Sequence, residues 1–115
     1  MSLTEKTCIP CKGGVPPLSY DQARTLHAET PLWQLAADAS RIERRFQFLN
    51  FVTALNFVNQ VGALCESEWH HADFSFGWGY CSVVFYTHKI KGLHENDFII
   101  AAKVDQLFDQ LPKAE

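Results

Sequence analysis

Asp73-Phe74-Ser75-Phe76-Gly77-Trp78-Gly79-Tyr80-Cys81-Ser82-Val83-Val84-Phe85-Tyr86-Thr87 is the stretch whose reading decides the fold. Asp73 to Phe76 and Tyr80 to Thr87 read as strands, and the second is rich in the β-branched and aromatic residues that fit a pleated surface. Gly77-Trp78-Gly79 supplies the turn, so the pair predicts a hairpin. Upstream, Asn50 is placed to cap a helix over residues 51–67. Phe51, Leu55, Val58, Val61, Leu64 and Cys65 recur there at helical spacing, widened by Ala54 and Phe57. Such a stripe packs on a sheet, and its width leaves room for a subunit contact. Further upstream, Leu32 to Ala36 is a short strand and Asp38-Ala39-Ser40 a turn. Arg41 to Phe48 then alternates, with Ile42, Phe46 and Phe48 on one side and Glu43, Arg45 and Gln47 on the other, which predicts a second hairpin.

Two more helices complete the pattern. Ser19 followed by Gln22 is a capping-box signature for a helix that runs to about Ala28 and stops before Pro31. Downstream, Lys89 to Lys91 with Gly92 is a loop. A last helix spans about Glu95 to Leu111, carrying Phe98, Ala101, Ala102, Asp105 and Leu107 at near-helical spacing. His94 or Asn96 is its cap, and Pro112 ends it. The order α-ββ-α-ββ-α implies an α+β, two-layer sandwich, a four-stranded antiparallel sheet with three helices on one face. Residues 1–17, punctuated by Pro10, Gly13, Gly14, Pro16 and Pro17, read as an extended N-terminal arm ahead of a single domain over 18–115.

Composition narrows the function classes. The chain has 115 residues, 47% of them hydrophobic, enough for one core without disulfides or metal. A net charge of −3 provides no basic field for nucleic acid or an anionic membrane. The local cluster Arg41, Arg44 and Arg45 reads as a solvated strand face. No apolar run reaches the ~20 residues of a membrane-spanning helix, and no signal peptide opens the chain, so a cytoplasmic protein is expected. Cys8, Cys11, Cys65 and Cys81 then read as thiols. Cys8-Ile9-Pro10-Cys11 lacks both the helix that follows a redox motif and the second Cys-x-x-Cys of a zinc ribbon, so a simple turn is preferred.

The candidate chemistry lies around the hairpin. His70 and His71 precede it, His88 follows it, and Asp97 opens the last helix. Histidine is the side chain whose ordinary pKa lies nearest neutrality, which suits proton transfer. Pairing of the strands brings His71 and His88 to one end of the sheet, and places Asp97 where it can orient an imidazole or hold a ring nitrogen. Two readings stay open on spacing alone: a shared acid–base site, and a His/His/His/Asp metal site. Neighbouring residues of an extended segment point to opposite faces, which weighs against both members of the pair ligating one metal. His27 and His94 read as surface or satisfied core groups.

These residues resemble the pterin-4a-carbinolamine dehydratase family. The resemblance is carried by His70-His71-Ala72, Trp78 and Tyr80, Thr87-His88, Gly92-Leu93 and Asn96-Asp97-Phe98, and by the opening Cys8-Ile9-Pro10-Cys11-Lys12-Gly13-Gly14. It spans nearly the whole chain. It implies a hydro-lyase that dehydrates 4a-hydroxytetrahydropterin to quinonoid dihydropterin, recycling the cofactor of aromatic amino-acid hydroxylases, with a possible link to phenylalanine hydroxylase. By the same resemblance His70 and His88 form the acid–base pair and His71 positions the ring. Asp97 and Glu66 are supporting carboxylates, and Phe74 and Trp78 line the pocket. No metal and no cofactor are implied, since the pterin is the substrate. A homodimer or homotetramer is implied, with helices at its centre, and Phe51, Phe57, Val58 and Val61 are candidates for that face. The alternative function is a non-catalytic pterin-binding or partner-regulating module on the same fold. Ala72 stands where the family usually has proline, and Trp69 where many relatives have an acidic or polar residue.

Overall fold

The computed structural model describes residues 2–9 and 13–111. Cys11 of the Cys-x-x-Cys turn and the helix-ending Pro112 lie outside them. In chain order the elements are α1 (Tyr20–His27), β1 (Gln34–Leu35), β2 (Ile42–Gln47), α2 (Phe51–Glu68), β3 (Asp73–Gly77), β4 (Tyr80–Phe85) and α3 (Glu95–Asp109). Short 3-10 turns stand at Leu3–Glu5 and His88–Ile90, where an extended arm and an open loop were expected.

Local chemistry accounts for the helix starts. The Ser19 hydroxyl accepts from Gln22 N–H at 3.1 Å, and the Gln22 side chain accepts from Ser19 N–H at 2.9 Å, closing the expected capping box. Asn50 Oδ1 accepts from Thr53 N–H at 3.0 Å at the head of α2. Of the two caps considered for α3, His94 takes the role, its Nδ1 accepting from Asn96 N–H at 3.0 Å.

The two hairpins meet through their longer strands, giving the antiparallel order β1-β2-β4-β3. Ile42 lies opposite Phe85 and Phe46 opposite Cys81 across the centre, and Asp73 opposite Val84 at the β3 edge. The helices cover one face of the sheet. Its inward residues Ile42, Phe46, Cys81, Val83 and Phe85 are buried with Trp33, Phe57, Val61, Phe98 and Ile100. Phe46 is the hub of the aromatic cluster, with ring centroids 4.8 Å from both Phe57 and Phe108.

Two expectations need correction. Arg44 does not belong to a solvated face. Counting by two from Ile42 puts it on the helix side, where its guanidinium lies 4.4 Å from the Phe46 centroid and donates to Asp105 Oδ1 at 2.5 Å. Phe57 and Val61 are fully buried against the sheet, so they have no surface to offer another subunit. The apolar surface that α2 leaves outward comes from Phe51 and Val52 with the half-buried Leu55.

The arm is tied to α3. Asn96, itself buried, accepts from Ile9 N–H at 3.0 Å and donates to Ile9 carbonyl oxygen at 2.6 Å. Leu18 N–H donates to Leu93 carbonyl oxygen at 2.8 Å. Gly92 is needed beneath it, because a Cβ there would lie 2.5 Å from Pro17 Cβ. No helix among the described residues is long and apolar enough to cross a membrane.

Candidate active site

The site begins where α2 stops. Trp69 takes the left-handed conformation at φ 52° and ψ 43°, and its N–H returns to the carbonyls of Cys65 and Glu66. His70 N–H also donates to Cys65 carbonyl oxygen, at 3.1 Å. This reversal closes the helix and turns the chain back toward the sheet. The paired imidazoles that follow then diverge, as extended backbone requires.

His70 points inward, its side chain 10% exposed. Its ring stacks over Phe85 at 6.2 Å with an interplanar angle of 19°. Its Nε2–H donates to Asp97 Oδ1 at 2.6 Å. Asp97 is 0% exposed, and the fold surrounds its carboxylate with donors. Oδ2 accepts from the Thr87 hydroxyl at 2.8 Å and from His94 N–H at 3.0 Å. A buried carboxylate satisfied in this way is fixed in place and fixes the imidazole in turn. Thr87 is itself set by backbone pairing with Gly92, whose carbonyl accepts from Thr87 N–H at 2.8 Å.

His71 points outward and is 48% exposed. Its Nε2–H donates to Glu66 Oε2 at 2.5 Å, and its ring meets the Trp69 indole at 5.1 Å in a T-shaped contact. Each of the two carboxylates therefore serves a different imidazole, Asp97 the buried one and Glu66 the exposed one.

His88 opens the 3-10 turn that follows β4, at the same end of the sheet as His70, and is exposed. Its ring contact is with Tyr86, at 4.1 Å, rather than with His70 or Asp97. Phe74 is half-buried near the start of β3 and packs against the core. Trp78 is not brought to this end. It sits in the β3–β4 turn, 74% exposed, and the length of β3 separates it from the histidines, so within one chain it lines no pocket with them. A hairpin sends its turn away from the ends of its strands, a consequence that sequence proximity to the histidines conceals. The sequence reading also gave Thr87 and His94 no part in holding Asp97. The signal for His94 was local: it stands three residues before Asp97, the capping-box interval that its backbone uses.

Among the described residues, no group of three His, Cys, Asp or Glu side chains is arranged to hold a metal ion. Residues 16–107 match the sequence pattern of the family described as Pterin 4 alpha carbinolamine dehydratase. The chain belongs to this family. A relative from Methylococcus capsulatus is 57% identical over 106 residues, covering 92% of this chain and 93% of its own, and is named provisionally as a pterin-4-alpha-carbinolamine dehydratase. One from Halorhodospira halophila, named in the same way, is 56% identical and covers 93% of this chain and 98% of its own. Among solved structures, a transcriptional coactivator/pterin dehydratase from Brucella melitensis superposes with a TM-score of 0.73 at 25% identity, over 79% of this chain and 97% of that one. A pterin dehydratase-like protein identified as a RuBisCO assembly factor in the alpha-carboxysome shares the fold, with a TM-score of 0.56 at 24% identity, over 65% of this chain and 90% of that one. The α+β architecture and family membership thus agree with the sequence reading.

Proposed function

We propose that this chain dehydrates a 4a-hydroxytetrahydropterin to quinonoid dihydropterin and water by histidine acid–base catalysis. The observation that carries the reading is the buried His70–Asp97 couple. With Nε2–H held by Asp97, the His70 nitrogen left to exchange a proton with substrate is Nδ1. The chemistry asks for little more. The substrate hydroxyl leaves from a carbon next to nitrogen: an acid protonates the oxygen, the nitrogen lone pair expels water, and a base removes the N–H proton. Positioned groups of this kind contribute about 10²–10⁴-fold. His70 and His88 share the two proton transfers, and His71, steadied by Glu66, holds the pterin ring with Phe74 nearby. The pterin is the substrate, and no separate cofactor takes part. The carbinolamine comes from a pterin-dependent aromatic hydroxylase, and the chain works as a homo-oligomer joined through the outer face of α2.

Family membership supports the activity and the couple supports the roles. The test is carbinolamine dehydration followed by rapid mixing in the wild type, His70→Ala, His88→Ala and the double variant. The single variants should each lose about 10²-fold or more in kcat, and the double variant should fall to the uncatalysed rate. Normal turnover in the double variant overturns the assignment. Pterin binding without turnover in the wild type establishes instead a non-catalytic module, a reading that the RuBisCO assembly factor on the same fold makes concrete.

A further inference from the structure

Trp69 is used neither by the reaction above nor by the core. It holds the left-handed conformation, at φ 52°, which favours glycine because a Cβ there crowds the following carbonyl. Its indole is 76% exposed, although a side chain of this size gains most from burial. Both features oppose stability, and local strain of this kind gathers at sites where function uses it. Its surroundings say which function. The indole stands T-shaped to the His71 ring at 5.1 Å, Glu66 fixes that imidazole through Nε2, and the next residue along the chain is His70.

We infer that Trp69 is the aromatic platform on which the flat bicyclic pterin lies, a substrate-holding residue that selects planar heterocycles at the mouth of the site. The inference rests on the pterin reading above and adds a residue to it. The left-handed turn that closes α2 and sends His70 inward also swings the indole out beside His71. An open indole face offers stacking to a conjugated ring, while its T-shaped neighbour keeps it from folding onto the protein.

The test uses the full chain with Trp69→Gly and Trp69→Phe, measuring KM and kcat for dehydration, Kd for 7,8-dihydropterin by calorimetry, and Tm. Trp69→Gly should weaken both KM and Kd about ten-fold, the effect of losing one ring stack, with kcat within about two-fold because the lost contact is uniform binding. Its Tm should rise by about 2–5 °C as the left-handed strain is relieved. Trp69→Phe should keep Kd within about three-fold, since a ring remains. An unchanged Kd in Trp69→Gly, or a Kd for Trp69→Phe as weak as that for glycine, overturns the platform. So does a lower Tm with unchanged Kd, which marks a merely structural residue. Wild-type binding without turnover defeats the catalytic reading alone and leaves the platform to be judged on Kd. Neither binding nor turnover in the wild type defeats both.

Discussion

Asp97 accepts from a side chain, a hydroxyl and a backbone amide while fully buried, so its substitution has a calculable effect. An amide keeps one acceptor oxygen and turns the other into a donor. Asp97→Asn should therefore leave a buried donor unsatisfied, costing about 1–3 kcal/mol in urea denaturation. It should also lower kcat by about 10²-fold or more, because the imidazole loses the partner that fixes its tautomer. Steady-state assays well below the urea midpoint separate the two effects. The thiols give a second expectation at this scale. Burial, with the nearby Glu68 charge adding to it, pushes the Cys8 thiol up to about 12, and burial pushes Cys81 up to about 11. A raised thiol pKa keeps the neutral form. At pH 8 the thiolate fraction is then about 10⁻⁴ for Cys8 and about 10⁻³ for Cys81. Peptide mapping after treatment with a disulfide reagent should find both unlabelled in the native protein and labelled in urea; rapid native labelling contradicts this. Strand pairing and the first turn of a helix made it legible that histidines and Asp97 share one end of the sheet, but not that His70, rather than His71 or His88, is the imidazole Asp97 holds. The Thr87 and His94 contributions were not legible either: the Thr87 hydroxyl comes within reach through a backbone bridge to Gly92 that residue identity does not show, and His94 acts through a backbone N–H whose one trace is the capping-box interval.

At the level of elements, the end of α2 and the start of α3 are laced together by the arm. Glu68, in the last turn of α2, accepts from Cys8 N–H at 2.8 Å and from Lys103 Nζ at 2.5 Å. Burial works against its charge, but the Cys8 amide and the Lys103 ammonium outweigh it and hold the carboxyl below the ordinary glutamate value of 4.5. A carboxylate lowered in this way stabilises the fold above its unfolded value, and that contribution fades as the pH falls through the folded value. The wild type should thus lose stability between pH ~5 and pH ~3 more steeply than Glu68→Gln, read from urea midpoints. The Cys8 amide should exchange faster in the variant at neutral pH; equal exchange rates refute the link to the arm. Helix starts were legible because Ser19 with Gln22 and Asn50 with its neighbours act over one turn. The outward face of α2 was not, since periodicity identifies an apolar stripe without saying how far the sheet covers it. Phe57 and Val61 proved to be the covered part.

Across the whole molecule, the Arg44–Asp105 pair joins the sheet centre to α3. The Trp33 indole N–H donates to the same oxygen at 2.8 Å. Asp105→Ala should cost about 1–3 kcal/mol by leaving the guanidinium and the indole N–H without an acceptor. Adding Arg44→Met should recover part of that loss, since removing both partners is milder than removing one. Additive losses in urea denaturation would show that the two do not interact. If the outer face of α2 joins subunits, Val52→Glu should shift sedimentation equilibrium toward monomer without lowering the Tm of the isolated fold, as Val52 is 54% exposed. At this scale the strand count and the one-sided helix layer were legible from the order of hairpins. The burial of Arg44 was missed because charge was read before strand parity. The clasp between Ile9 and Asn96 has a practical side. Asn96 adjoins Asp97 in sequence, so the segment around Ile9 is a handle on the buried carboxylate that holds His70. A purification tag or immobilising linker placed just ahead of Ile9 would pull on the hydrogen bonds that seat the head of α3.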